Sequence, residues 1–98
     1  MIKTNKSAET AERLALLFKI FGDCTRLSIL TELMDKEMYV GEIAEKMQMS
    51  QSAISHQLMV LKRGKLVKIR RSGKNIYYSI SDSHVEQILR LGEKHMNE

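Results

Sequence analysis

Two histidines and two carboxylates crowd the C-terminal end of the 98-residue chain: Asp82, His84, His95 and Glu98. Imidazole nitrogens and carboxylate oxygens are good ligands for a borderline divalent cation, and four of them suit tetrahedral zinc or cobalt. Their spacing tests that chemistry. On a helix, at about 100° per residue, the step from His84 to His95 returns to nearly the same face, and Glu98 joins it. The same helix separates the two histidines by roughly 16 Å along its axis, whereas zinc holds its ligand atoms about 2 Å away. One straight helix therefore cannot close the site.

Two copies of the helix packed antiparallel can. Facing residues in such a pair keep a constant sum of residue numbers, and Asp82 with Glu98 gives 180 while His84 with His95 gives 179. The same register lays Ile88 against Leu91 of the second copy, so the seam is apolar in the middle and ligand-bearing at both ends. Asp82 and His84 from one chain then meet His95 and Glu98 from the other, twice by symmetry. Taken singly, each of the four residues reads as ordinary solvated helix surface; the shared register sets them apart. A hydrolytic zinc enzyme needs an open coordination position and a cleft. Four protein ligands close the shell, so the pattern points away from catalysis.

The elements that carry these residues can be read from periodicity. Residues 1–6 read as a frayed polar start, with Ser7 as N-cap of a first helix running to about Phe21. Its second half, Leu14-Ala15-Leu16-Leu17-Phe18-Lys19-Ile20-Phe21, is apolar nearly all round. A surface helix shows one apolar stripe, so this one calls for cover on two sides, from a second subunit or from a core around it. Gly22 stops that helix and Asp23 caps a second, from Cys24 to about Met34, whose inward face is expected at Leu27, Leu30 and Met34. Residues 35–39 read as a charged connection. Two short helical segments follow, Val40–Met47 with Ile43, Ala44 and Met47 inward, and Gln51–Arg63 with Ile54, Leu58 and Leu61 inward. The turn Gln48-Met49-Ser50 joins them, which is a helix-turn-helix pattern. After Gly64 the period shifts toward two: strands near residues 66–71 and 75–80 flank Ser72-Gly73-Lys74 as a hairpin whose tip is expected to carry Arg70, Arg71 and Lys74. A last helix runs from about Ser83.

The second helix of the pair presents Gln51, Ser52, Ser55 and His56 outward at its N-terminal end. Short hydrogen-bonding side chains there are what meets base edges in a major groove, and a helix N-terminus also favours phosphate. Lys62, Arg63, Lys65, Lys68, Arg70, Arg71 and Lys74 follow at once and suit backbone phosphates. Either signal alone fits a solvated surface; together they point to double-stranded DNA. His56, on this helix, reads as a DNA contact rather than a metal ligand. The net charge of +4 agrees with a polyanionic partner.

Composition narrows the rest. There is no Pro or Trp and 5% aromatic residues, which favours helices over a sandwich or barrel, and residues 1–98 are expected to form one domain. A single cysteine, Cys24, excludes an internal disulfide and a cysteine metal cluster. No apolar run approaches the roughly 18 residues of a membrane span, and the N-terminus lacks the apolar stretch of a signal peptide, so a cytoplasmic location is expected.

The runs Phe21-Gly22-Asp23-Cys24-Thr25-Arg26-Leu27-Ser28-Ile29-Leu30 and Met49-Ser50-Gln51-Ser52-Ala53-Ile54-Ser55-His56-Gln57-Leu58 resemble the signature of the ArsR/SmtB family of bacterial metal-responsive repressors. The resemblance covers about residues 8 to 98. It implies a mainly α, winged helix-turn-helix homodimer in the order ααααββα, with the first and last helices at the dimer interface. It also implies an apo dimer that represses a transport or resistance operon and leaves operator DNA when zinc binds. Asp-x-His followed by His-x-x-Glu is similar to the C-terminal-helix metal site of the family's zinc sensors. Other members place cysteines in the helix before the recognition helix; the segment Met38–Ala44 has none here, which removes a thiolate site. A second reading keeps the DNA-binding module without metal sensing, with regulation through Cys24.

Overall fold

The structure, a computed structural model, describes residues 2–98, with side chains described from residue 6 onward. Among these residues the elements run α1 (Ile2–Phe21), α2 (Cys24–Asp35), β1 (Met38–Tyr39), α3 (Val40–Met47), α4 (Gln51–Arg63), β2 (Val67–Ser72), β3 (Asn75–Ile80) and α5 (Ser83–Met96). The helix-turn-helix is α3–α4 and the wing is β2–β3. Three expectations need correction. α1 begins at Ile2, so Ser7 lies inside the helix and the stretch 1–6 is helical from residue 2; Met1 is outside the described residues. A polar first turn carries no apolar stripe from which to read a helix start. The connection 35–39 contains a strand: Met38 pairs with Tyr78 and Tyr39 with Tyr77, making a three-stranded antiparallel sheet ordered β1-β3-β2. The order ααααββα therefore gains a strand after α2. The inward face of α2 is Ile29, Leu30 and Leu33, while Leu27 is exposed and Met34 only half-buried.

Local chemistry explains the element ends. Asp23 caps α2 by accepting from the Arg26 backbone N–H at 3.0 Å. α3 ends on Gln48, held at φ 55 in the left-handed region, and the Met49 N–H returns to the Ala44 carbonyl at 3.0 Å. Ser50 then opens α4 by accepting from the Ala53 N–H at 3.1 Å. These two caps fix the angle between the paired helices within three residues. In the wing, Ser72 pairs with Asn75, and Gly73 takes φ +60, the value a two-residue hairpin loop with glycine first needs.

The core sits where α2, α3 and α4 meet beneath the sheet. Ile29, Leu30, Ile43, Ile54, Leu58 and Leu61 are fully buried, the last three being the face expected for the second helix of the pair. Each such side chain contributes about 1.5–3 kcal/mol relative to exposure. Gly64 lets α1 approach α4 closely: a Cβ there would stand 2.6 Å from Ile20 Cδ1. α5 packs through Val85, which is buried, and Leu89, which lies against the core. No helix among the described residues is long and apolar enough to cross a membrane.

Candidate functional site

α4 turns one ridge inward and a polar row outward. With Ile54, Leu58 and Leu61 fixed in the core, the helical period leaves Gln51, Ser52, Ser55 and His56 exposed at the N-terminal end. The Ser52 hydroxyl lies 3.3 Å from that of Ser50, at the capped end of the helix. Met59 continues the outward row and is 44% exposed. Lys62 and Arg63, in the last turn, are exposed as well.

The wing places Lys68, Arg70, Arg71 and Lys74 in solvent, but not all at its tip. Lys74 sits in the turn beside Gly73, whereas Arg71 lies opposite Ile76, Arg70 opposite Tyr77 and Lys68 opposite Ser79. Arg70 is further engaged. Its Nε donates to both carboxylate oxygens of Glu37, at 3.1 and 3.2 Å, and a terminal nitrogen donates to the same carboxylate. Its guanidinium lies 4.8 Å from the centre of the Tyr77 ring, and Tyr39 meets that ring edge-on at 5.7 Å. The hydrogen bonds from Arg70 hold the Glu37 carboxyl below its ordinary range; desolvation opposes this, and the charges of Arg70 and Lys68 add to it. The same carboxylate raises the pKa of Arg70. The pair braces the wing against the segment before β1.

The C-terminal constellation is arranged differently from a continuous helical stripe. Asp82 is the N-cap of α5: its Oδ1 accepts from the His84 N–H at 2.9 Å and the Val85 N–H at 3.3 Å. His84 Nδ1 lies 3.3 Å from the same oxygen, and its side chain is 83% exposed. His95 stands in the last turn, exposed, but α5 ends at Met96 and Glu98 lies past the C-cap Asn97. Its expected place on the helical face is therefore corrected. Among the described residues of the single chain, no three His, Cys, Asp or Glu side chains gather to hold a metal. His84 and His95 stay at opposite ends of α5. Between them Ile88 and Leu91 face solvent, Leu91 at 68% exposure, while α1 exposes Leu14, Leu16 and Phe18.

Residues 23–68 match the profile of the bacterial regulatory protein arsR family. A transcriptional repressor SmtB homolog from Synechocystis sp. is 39% identical over 92 residues, covering 94% of this chain and 70% of the relative. This chain belongs to the ArsR/SmtB family. A cadmium resistance transcriptional regulatory protein CadC homolog from Staphylococcus aureus is 35% identical, over 86% of this chain and 70% of the relative. Among solved structures, the homodimeric winged helix-turn-helix DNA-binding domain of a possible ArsR-family transcriptional regulator from Mycobacterium bovis superposes with a TM-score of 0.87 at 32% identity. It covers 93% of this chain and 84% of that one. The family is one of DNA-binding transcription regulators rather than enzymes.

Within this ArsR/SmtB fold, three polar residues have structural roles that the sequence reading assigned to none of them. Glu37 fixes Arg70. Arg26 donates from one guanidinium to the Ile20 carbonyl at 2.8 Å, the Lys19 carbonyl at 3.3 Å and Gln57 Oε1 at 3.1 Å. The Glu37–Arg70 and Arg26–Gln57 contacts join positions 33 and 31 residues apart, so periodicity carries no trace of them. Arg26 lies in the first turn of α2, four residues past Gly22, where a long cation can turn back to the C-terminal carbonyls of the preceding helix.

Proposed function

We propose that this chain is a homodimeric repressor whose single winged helix-turn-helix domain dimerises through α1 and α5, binds double-stranded operator DNA, and is released from it by zinc or cobalt. Gln51, Ser52, Ser55 and His56 read base edges from α4. Lys62, Arg63, Lys68, Arg71 and Lys74 neutralise flanking phosphates. Arg70, occupied by Glu37, holds the wing at its working angle.

One observation carries the regulatory part. α5 spends Val85 and Leu89 on its own core and leaves Ile88 and Leu91 in solvent, with Asp82 and His84 before them and His95 after. An apolar stripe bracketed by ligand-type side chains suits a second copy of itself. The donor set fits zinc: two imidazoles and carboxylates, with no soft thiolate among them. Asp82 Oδ1 is committed to the helix cap, which leaves Oδ2 for a cation, and His84 with Nδ1 beside that cap offers Nε2. His95 and Glu98 from the second chain complete the set. Held by these side chains, a bound ion would tie the two chains together and favour one intersubunit angle. Residues of α4 reach two half-sites only when the helices stand about one duplex turn apart, so a dimer held at another angle loses affinity.

The test is fluorescence anisotropy on a duplex that the protein itself selects from a random-sequence pool. Zinc should lower affinity for that duplex relative to a chelator, and His84→Gln or His95→Gln should remove the difference. By linkage the duplex must weaken zinc binding by the same factor. Equal affinities with and without zinc end the metal-sensing reading and favour the Cys24 or unregulated alternative; selection of no duplex ends the DNA-binding reading.

A further inference from the structure

We infer that Arg26 is a positioning residue for DNA readout: it ties the orientation of the recognition helix α4 to the end of α1. The inference rests on the DNA-binding reading above and deepens it. Gly22 stops α1, and the last carbonyls of any helix have no partner within it. Two of them accept from Arg26: Ile20 from its Nε, and Lys19, which also takes the Gly22 N–H at 3.2 Å, from one terminal nitrogen. The other terminal nitrogen donates to Gln57 Oε1, 31 positions along the chain. Arg26 is itself held from behind, its backbone N–H bonded to Asp23.

A guanidinium is planar and its donors form a rigid fork, so the three acceptors fix one another's positions. Gln57 is half-buried on the flank of α4, between the core ridge of Ile54, Leu58 and Leu61 and the exposed row of Ser52, Ser55 and His56. Any turn of α4 about its axis that draws Gln57 off the fork swings Ser55 and His56 with it. α1 also approaches α4 through Ile20 over Gly64, an apolar contact at the far end of that helix. Apolar packing tolerates small slides, whereas a forked hydrogen bond is directional. α1 meanwhile exposes Leu16 and Phe18, side chains of the proposed dimer surface. Arg26 thus stands between the surface that sets subunit geometry and the helix that reads bases.

The test compares four full-length variants, Arg26→Lys, Gln57→Leu, Gln57→Glu and the double variant Arg26→Lys/Gln57→Leu. Each is titrated at one salt concentration, below its melting temperature, against the duplex selected by the wild type and against a scrambled duplex of equal length. A lysine keeps the charge but cannot reach three acceptors. Arg26→Lys and Gln57→Leu should each lower the selected-to-scrambled affinity ratio about tenfold, and the double variant by no more than either. Gln57→Glu, which keeps an acceptor for the fork, should retain the ratio. For Arg26→Lys and Gln57→Leu, affinity for the scrambled duplex should hold, because phosphate contacts do not need a precise helix angle; the added charge of Gln57→Glu lowers affinity for both duplexes alike. A purely structural role would move the melting temperature and leave the ratio alone. Ratios within about twofold of wild type for both Gln57→Leu and Arg26→Lys, or losses that multiply in the double variant, overturn the inference. If Arg26→Lys does not fold, Gln57→Leu against Gln57→Glu decides. A wild type that selects no duplex overturns the DNA-binding reading and this inference with it.

Discussion

Glu37 stands just before β1 and takes the guanidinium of Arg70 away from solvent anions. Arg70 sits in a basic run, and a basic run alone reads as phosphate contacts; only the fold brings Glu37, 33 positions earlier, alongside it. The pairing has a pH signature. Arg70 depresses the folded-state pKa of Glu37, so the contribution is present above the unfolded carboxylate value and is lost as pH falls through the lower folded value. Thermal melts of the wild type should therefore lose an increment of stability as pH falls through and below the ordinary carboxylate range, an increment that Glu37→Gln lacks. Because both side chains are exposed, molar salt should shrink that increment. A Glu37→Gln variant whose acid limb overlays the wild type would remove the brace. Arg71 has no such carboxylate among its described contacts. Arg71→Ala should lower the salt slope of DNA binding by about one unit, and Arg70→Ala by less.

At the scale of elements, the α3–α4 pair was readable because each helix shows a clean inward ridge, and Ile54, Leu58 and Leu61 are all fully buried. The hairpin was readable from Gly73 and its β-branched and aromatic flanks. The rest was hidden for physical reasons. β1 is two residues long, too short for any period, and exists because β3 offers Tyr77 and Tyr78 as partners. The buried stripe of α2 is displaced from Leu27 because this helix is covered from several sides and the centre of that cover is a tertiary fact. The turn between α3 and α4 holds Gln48 at φ 55, a left-handed conformation that costs an L side chain roughly 1 kcal/mol. Gln48→Gly should relieve part of this and stabilise the protein by about 0.5–1 kcal/mol, raising the melting temperature by a few degrees. A lower melting temperature would mean that the Gln48 side chain makes a contribution the turn geometry does not reveal.

For the molecule as a whole, the proposed metal site is legible in the sequence only as a relation between two copies. Residue sums near 180 propose a register, and no single chain brings the ligands together. α5 supplies the apolar stripe that the register needs, though Glu98 lies beyond its last turn and must reach the site from a non-helical position. Charge placed on the seam tests the assembly itself. Leu91→Lys should shift the protein toward monomer in sedimentation equilibrium, because Leu91 is 68% exposed in the single chain and costs its own fold little. The sharing of ligands has a stricter test. His84→Gln alone spoils both sites of a homodimer, and so does His95→Gln. In a mixed dimer of the two variants, one site carries both defects and the other carries none. Unfolding and refolding the two variants together at equal concentrations should place about half the chains in mixed dimers, restoring about a quarter of the wild-type zinc stoichiometry by direct titration. Sites built within one chain predict no recovery at all, because every chain in the mixture then lacks a ligand. Recovery with the Leu91→Lys change added to both variants should fail, since the mixed dimer itself is lost.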